Sequence, residues 1–260
     1  MKRFSCAVIT GASSGIGLEF ARILAKRSDR LVLVARRRNL LDQISTEIAD
    51  PNCQIHCLQS DLEVPDASYV LLKEVEALGL VPDLWINNAG FGLYGESLSL
   101  PAERELAMVD LNIKALLALT RGSASAMVRK SGGTILNIGS VASFQPGPGM
   151  ATYFATKSFV LSYSQAMDVE LSGDGVRVLC LCPGNTSTAF HTVAGTSRSK
   201  WMHKVAAMGA KRVAEIGIAQ IDQGKRVQVA GFLNFWMVFS VRLLPMTLVA
   251  WISSKILRSN

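Results

Sequence analysis

Long uninterrupted apolar runs are scarce in this chain. Lys2 and Arg3 precede one, but Gly11 cuts it short before the apolar core of a secretory signal forms. The expectation is a cytoplasmic protein without a leader. Charge is also sparse, at 18% of the 260 residues, against about a quarter in an average soluble domain. The balance is basic, at +7, yet dispersed. Its densest cluster is Arg36-Arg37-Arg38, and no basic face carries interleaved aromatics, which speaks against a nucleic-acid partner. Cysteine is limited to five residues, an odd number, all in apolar stretches that read as strands. They are taken as reduced core residues and not as a disulfide framework. Cys53-Gln54-Ile55-His56-Cys57 offers three candidate metal ligands. On an alternating strand His56 faces away from both cysteines, so no metal is expected. Linkers, repeats and low-complexity segments are missing from the first 230 residues.

What is present is a regular alternation. The apolar run Cys6–Thr10 reads as a strand and leads into Thr10-Gly11-Ala12-Ser13-Ser14-Gly15-Ile16-Gly17, with a helical pattern after it. Strand, glycine loop and helix together make a phosphate cradle. Glycines let the backbone approach a pyrophosphate, and the helix start offers N–H groups and positive potential. Gly11, Ser13, Ser14, Gly15, Ile16 and Gly17 are therefore candidate dinucleotide contacts. The second strand, Leu31–Ala35, ends at Arg36. An acid there would hold the ribose 2′-hydroxyl of NAD; arginines suit a 2′-phosphate. The expectation is NADP(H) in preference to NAD(H), held by Arg36 and then Arg37. Asp61 and Leu62, at the end of strand Gln54–Leu58, are candidate adenine contacts. Asp61 could equally cap the next turn.

The fourth strand, Asp83–Asn87, ends in Asn87-Asn88-Ala89-Gly90. Adjacent asparagines at a strand end need hydrogen-bond partners, so they are expected to stitch the sheet and touch the cofactor. A long helical region from Pro101 to Val128 contains Asn112, an unfavourable residue inside a helix. The strand Gly133–Gly139 ends at Ser140, where open α/β sheets bind ligands. A helix from Ala151 to Leu171 carries Tyr153 and Lys157 four apart, hence on one face. A cation beside a phenol favours phenolate, so the tyrosine is expected to titrate lower than usual and to exchange protons. Val176–Cys182 is a sixth strand, followed by Pro183-Gly184 and a polar stretch to about Lys200 that suits a lid. A seventh strand is expected at Arg226–Ala230. The fold class is α/β: a Rossmann-like doubly wound parallel sheet of about seven strands. The chain is read as one Rossmann-fold domain, 1–260, with apolar C-terminal helices as an extension over 232–260.

Taken in order, Thr10-Gly11-x-x-x-Gly15-x-Gly17, Asn87-Asn88-Ala89-Gly90, Asn112, Ser140, Tyr153-x-x-x-Lys157 and Pro183-Gly184 resemble the short-chain dehydrogenase/reductase family. The resemblance covers about residues 5–190. It implies that Tyr153 is the catalytic acid/base, that Ser140 holds the substrate oxygen, and that Lys157 binds the nicotinamide ribose and tunes the tyrosine. Asn112 would keep a water that relays protons from Lys157. Asn88, Ala89, Gly90, Pro183, Gly184 and Thr186 would line the cofactor, and Thr188 would hold its carboxamide. Thr186 stands where the family motif has valine. The implied activity is interconversion of a small-molecule carbonyl and alcohol, with a homodimer or homotetramer paired through the helices around Asn112 and Tyr153. Two alternatives use the same fold: a cofactor-binding regulatory or scaffold protein, which predicts a broken Ser–Tyr–Lys set, and a lyase or isomerase.

After Gly231, aromatic and aliphatic residues fall at helical spacing to Leu243, and a second apolar helix runs from Met246 to Arg258. A span needs about 20 apolar residues, and Arg242 and Pro245 interrupt this stretch. Three readings compete. The helices pack on the substrate site or a partner subunit; they make peripheral membrane contact through 232–258; or they cross the membrane. Their apolar character also points to a hydrophobic substrate.

Overall fold

The computed structural model describes residues 2–130, 132–187 and 207–258. The strands are β1 (Ala7–Thr10), β2 (Arg30–Ala35), β3 (Gln54–Gln59), β4 (Leu84–Asn87), β5 (Gly133–Ile138), β6 (Val176–Cys182), β7 (Thr186–Ser187), β8 (Met208–Gly209) and β9 (Val227–Val229). Seven of them form one parallel sheet in the order β3-β2-β1-β4-β5-β6-β9, while β7 and β8 make a small parallel pair. The order reverses between β1 and β4. In such a sheet the crevice beyond the carboxyl ends of these strands is where ligands bind. Gly11 and Asn88 stand there.

The sheet is covered on both faces, as parallel sheets require. Alternation within a strand sends neighbours to opposite layers. Ile9, Leu33, Leu136 and Leu181 join one apolar layer with Phe20 and Leu24 of helix α1 (Gly15–Leu24) and Leu41 of α2 (Arg38–Glu47). Val8, Val32, Trp85 and Ile135 join the other, with Leu71 of α3 (Ala67–Ala77). Helices α4 (Ala102–Val109) and α5 (Leu116–Arg129) are one continuous element joined by a π-helical turn, Asp110–Ala115. The sequence reads this stretch as one regular helix; the π turn is where Asn112 sits. Helix α6 (Ala151–Leu171) matches its expected bounds.

Helix α7 (Ala210–Gln223) was not expected from the sequence. Its Val213, Ala214, Ile218 and Ile221 complete the first layer. Helices α8 (Phe232–Val241) and α9 (Met246–Arg258) follow, parted at Pro245. No helix among the described residues is long and apolar enough to cross a membrane. Among these residues the five cysteines are free and no cluster could hold a metal ion.

Candidate active site

The loop after β1 is built by backbone constraint. Gly11 and Gly15 have φ of +66° and +58°, a region that favours glycine. Gly17 is required by space: a Cβ there would lie 2.3 Å from Gly11 O and 2.5 Å from Asn88 Nδ2. Asn88 pins this loop by donating from Nδ2 to Thr10 O at 3.0 Å and Gly11 O at 3.2 Å. Thr10 Oγ1 in turn accepts from the N–H groups of Asn88 and Ala89, both at 3.0 Å. The two adjacent asparagines therefore divide the expected labour. Asn88 lines the cavity, whereas Asn87 is buried and donates to Thr120 Oγ1 and Asn137 Oδ1 inside the sheet.

A cavity of about 850 Å³ joins the glycine loop to the neighbourhood of Tyr153. Its walls include Gly11, Ser13, Ser14, Gly15, Ile16, Arg36, Arg37, Asp61, Leu62, Asn88, Ala89, Gly90, Ser140, Tyr153, Lys157, Pro183, Gly184 and Thr186. Gly17 and Asn112 stand behind this surface. Thr188 and the expected lid to Lys200 lie outside the described residues. The chain's own atoms fit a dinucleotide: a glycine cradle at a helix start leads along the carboxyl edge of the sheet to two arginines.

Three elements bring the reactive side chains together. Ser140 follows β5 and caps a 3₁₀ turn, Val141–Phe144, accepting from Ala142 N at 3.1 Å. Its hydroxyl shares a hydrogen bond with the Tyr153 phenol. Lys157 is 7% exposed and donates from Nζ to Ile138 O at 2.8 Å, with Nζ 5.9 Å from the Tyr153 ring centroid. Asn112 is buried and clamps Phe91 from both sides: Nδ2 donates to Phe91 O at 2.9 Å, and Oδ1 accepts from Phe91 N at 3.2 Å. It also donates to Thr156 Oγ1 at 3.1 Å. The π turn frees this side chain to face the adjoining loop, which explains an asparagine within a helical stretch.

The titration of the pair differs from the sequence expectation. Burial pushes Tyr153 up to about 12, against a smaller downward pull from the Ser140 hydrogen bond. Burial also brings Lys157 down to about 8. Loss of hydration is the largest cause of both shifts, and the ammonium is turned toward Ile138 O and stands across the ring. At neutral pH Tyr153 therefore holds its proton and is a donor.

Glu63, Arg104, Tyr94 and Asn234 escaped the sequence reading. Glu63 accepts from Arg36 Nη1 at 2.6 Å and from Arg104 Nη1 at 3.1 Å, so Arg36 is held by a carboxylate. Arg37 Nη2 reaches Ser13 Oγ at 3.4 Å. Asp61 accepts from Glu63 N at 3.2 Å and so caps its turn while also facing the cavity. Tyr94 donates to Leu257 O at 2.6 Å, and Asn234 lies where a Cβ on Gly184 would clash at 2.3 Å. Both contacts bind the C-terminal helices to the site. The pairings of Glu63 with Arg36 and of Tyr94 with Leu257 join residues far apart in the chain and leave no local pattern.

Residues 5–199 match the family model for short chain dehydrogenases. The chain belongs to the short-chain dehydrogenase family. As a family member it is an NAD(P)-dependent oxidoreductase. An oxidoreductase of Myxococcus xanthus is 31% identical over 181 residues, 70% of this chain and 72% of that protein. A very-long-chain 3-oxoacyl-CoA reductase of Pyrenophora tritici-repentis is 33% identical over 201 residues, 75% of this chain and 59% of that protein. Among solved structures, a short-chain dehydrogenase from Sphingobium yanoikuyae in complex with NADPH superposes with a TM-score of 0.82 at 31% identity, covering 92% of this chain and 93% of that one. The bulky-bulky ketone specific alcohol dehydrogenase from Comamonas testosteroni gives 0.77 at 27% identity, covering 98% and 96%.

Proposed function

We propose that this short-chain dehydrogenase interconverts a bulky, apolar ketone and its alcohol with NADP(H). The reading rests chiefly on Ser140, Tyr153 and Lys157 lining one cavity with the glycine loop. Bound there, the nicotinamide supplies a hydride to the carbonyl carbon. Charge then develops on the carbonyl oxygen. Ser140 donates a hydrogen bond to it, and Tyr153 delivers the phenolic proton. Lys157, charged below about pH 8, favours the phenolate left behind and binds the ribose. Asn112 fixes Phe91 and Thr156 in front of Lys157, and the water relay from that lysine belongs to the same proposal. The Gly11–Gly17 loop, Asn88, Ala89 and Gly90 would hold the pyrophosphate and ribose. Asp61 and Leu62 would face the adenine, and Pro183, Gly184, Thr186 and Thr188 the nicotinamide end.

Preference for NADP(H) is supported by Arg36 and Arg37 on the cavity wall, at the end of a strand with no acid in the ribose position. The bulk and apolarity of the substrate are supported by Met237, Val241, Val249, Ile252 and Leu257, which line the cavity. The NADPH of the Sphingobium protein and the bulky-bulky ketones of the Comamonas enzyme agree with both. A homodimer or homotetramer paired through the helices of Asn112 and Tyr153 completes the reading. Coenzyme consumption across a panel of ketones of increasing size tests it. Turnover is expected to favour bulky apolar ketones and NADPH over NADH. Binding of NADPH with no turnover of any carbonyl would favour a regulatory protein.

A further inference from the structure

Helices α8 and α9 have two unlike faces. The inner face, with Met237, Val241, Val249 and Leu257, forms a wall of the cavity that holds Tyr153. The outer face is apolar and open to water: Leu233 is 82% exposed, Leu243 71%, Phe232 74%, Trp251 56% and Trp236 51%. Water-facing positions in a helix are normally polar, and a contiguous apolar patch marks a contact surface. The aromatics are clustered. The Trp236 ring lies edge-on to Phe232, Phe235 and Phe239, at 6.1, 5.8 and 5.7 Å between centroids.

Charge selects the occupant. From residue 231 to 260 there is no Asp or Glu, against three basic residues, Arg242, Lys255 and Arg258. Lys255 Nζ stands 4.0 Å above the Trp251 ring, at the edge of the apolar face. Tryptophan beside lysine, with phenylalanine and leucine on one helical face and no acid, fits a bilayer's headgroup boundary. Anionic headgroups would add attraction for each nearby cation. A second copy of this face would instead set cation against cation.

We propose that the helix pair α8 and α9 docks in the plane of an anionic lipid surface. There its inner face opens the catalytic cavity to apolar ketones dissolved in the bilayer. The docking stands by itself; the delivery of substrate rests on the ketone-reductase reading.

The full chain would be sedimented with phosphatidylcholine vesicles, with and without phosphatidylglycerol, at low and high salt. The expected result is co-sedimentation with the phosphatidylglycerol vesicles, weakened by salt. The double variant Leu233→Glu, Leu243→Glu removes apolar contact and adds negative charge at two residues outside the cavity lining. Its lipid partition is expected to fall roughly tenfold or more, with turnover of a water-soluble ketone unchanged. Three results would overturn the proposal: the wild type staying in the supernatant at low salt, equal binding to phosphatidylcholine alone, or equal binding by the variant. Light scattering adds a fourth. A variant that falls to a smaller assembly than the wild type would show that a second copy covers this face. Binding is read without turnover, so failure of the ketone panel and failure of docking are separate outcomes.

Discussion

Lys157 carries a cost that can be measured apart from catalysis. The residue is 7% exposed, and burial brings its ammonium from 10.5 down to about 8. The unfolded chain keeps this lysine protonated to its ordinary value. Between these two values the unfolded state therefore binds more protons than the folded one, and stability rises with pH across that window. Below about pH 8 the folded protein bears the full penalty, about 3 kcal/mol at 1.36 kcal/mol per pH unit. Lys157→Met keeps the bulk and removes the charge. It leaves Ile138 O without its 2.8 Å donor, which costs about 1–3 kcal/mol and offsets much of the gain at neutral pH. The pH dependence is the cleaner quantity, since the lost hydrogen bond does not titrate. The wild type is expected to gain about 2 kcal/mol on the variant between pH 7 and 9.5. Tyr153 is common to both proteins and, at about 12, does not titrate in that range. Urea unfolding of both proteins at the two pH values measures the difference. A stability gap that stays constant would refute the burial argument and with it the depressed lysine.

Gly17→Ala is expected to weaken both folding, by about 1–3 kcal/mol, and NADPH affinity, because its Cβ would meet Gly11 O at 2.3 Å. Gly173→Ala meets nothing within 4 Å and is the neutral control; denaturation and coenzyme fluorescence read both. Asn112→Ala strands the Phe91 N–H and C=O, and a loss of about 2–3 kcal/mol with a lower melting temperature is expected. Asp168 has a fully buried side chain between Arg177 and Arg226. Burial pushes its carboxyl up, but the hydrogen bonds from Arg177, Arg226 and Val178 N outweigh this and hold it below the usual range. Its stabilisation is therefore present at neutral pH and is lost as pH falls below the ordinary carboxylate value. Asp168→Asn is expected to cost about 3 kcal/mol at pH 7 and to flatten the acid limb of a stability–pH curve.

The sheet was legible because most of its strands are short apolar runs closed by Gly, Asn, Ser, Arg or Pro. Its seven parallel strands follow from the alternation with helices. The Tyr153–Lys157 pair, the Ser140 position and the glycine loop were legible for a similar reason: each is set by spacing within one element or by a strand's end. What was not legible depends on partners distant in sequence. Glu63 clasps Arg36 across 27 residues, and Tyr94 reaches Leu257 across 163. The π turn at Asn112 carries no signal beyond an asparagine in an unfavourable place. The titration of Tyr153 ran opposite to expectation because local spacing shows the neighbouring cation but not the loss of water around both groups. The two faces of the C-terminal helices became distinct only once the cavity gave one of them an inside.

In the proposed mechanism Tyr153 hands over the proton while the rest of the cavity binds coenzyme. Tyr153→Phe tests it with two readings on one sample: NADPH affinity by fluorescence and single-turnover reduction of the best ketone found. Near-normal affinity is expected, with a loss of turnover of about a hundredfold or more. Near-normal turnover by the phenylalanine variant would rule out Tyr153 as the proton donor.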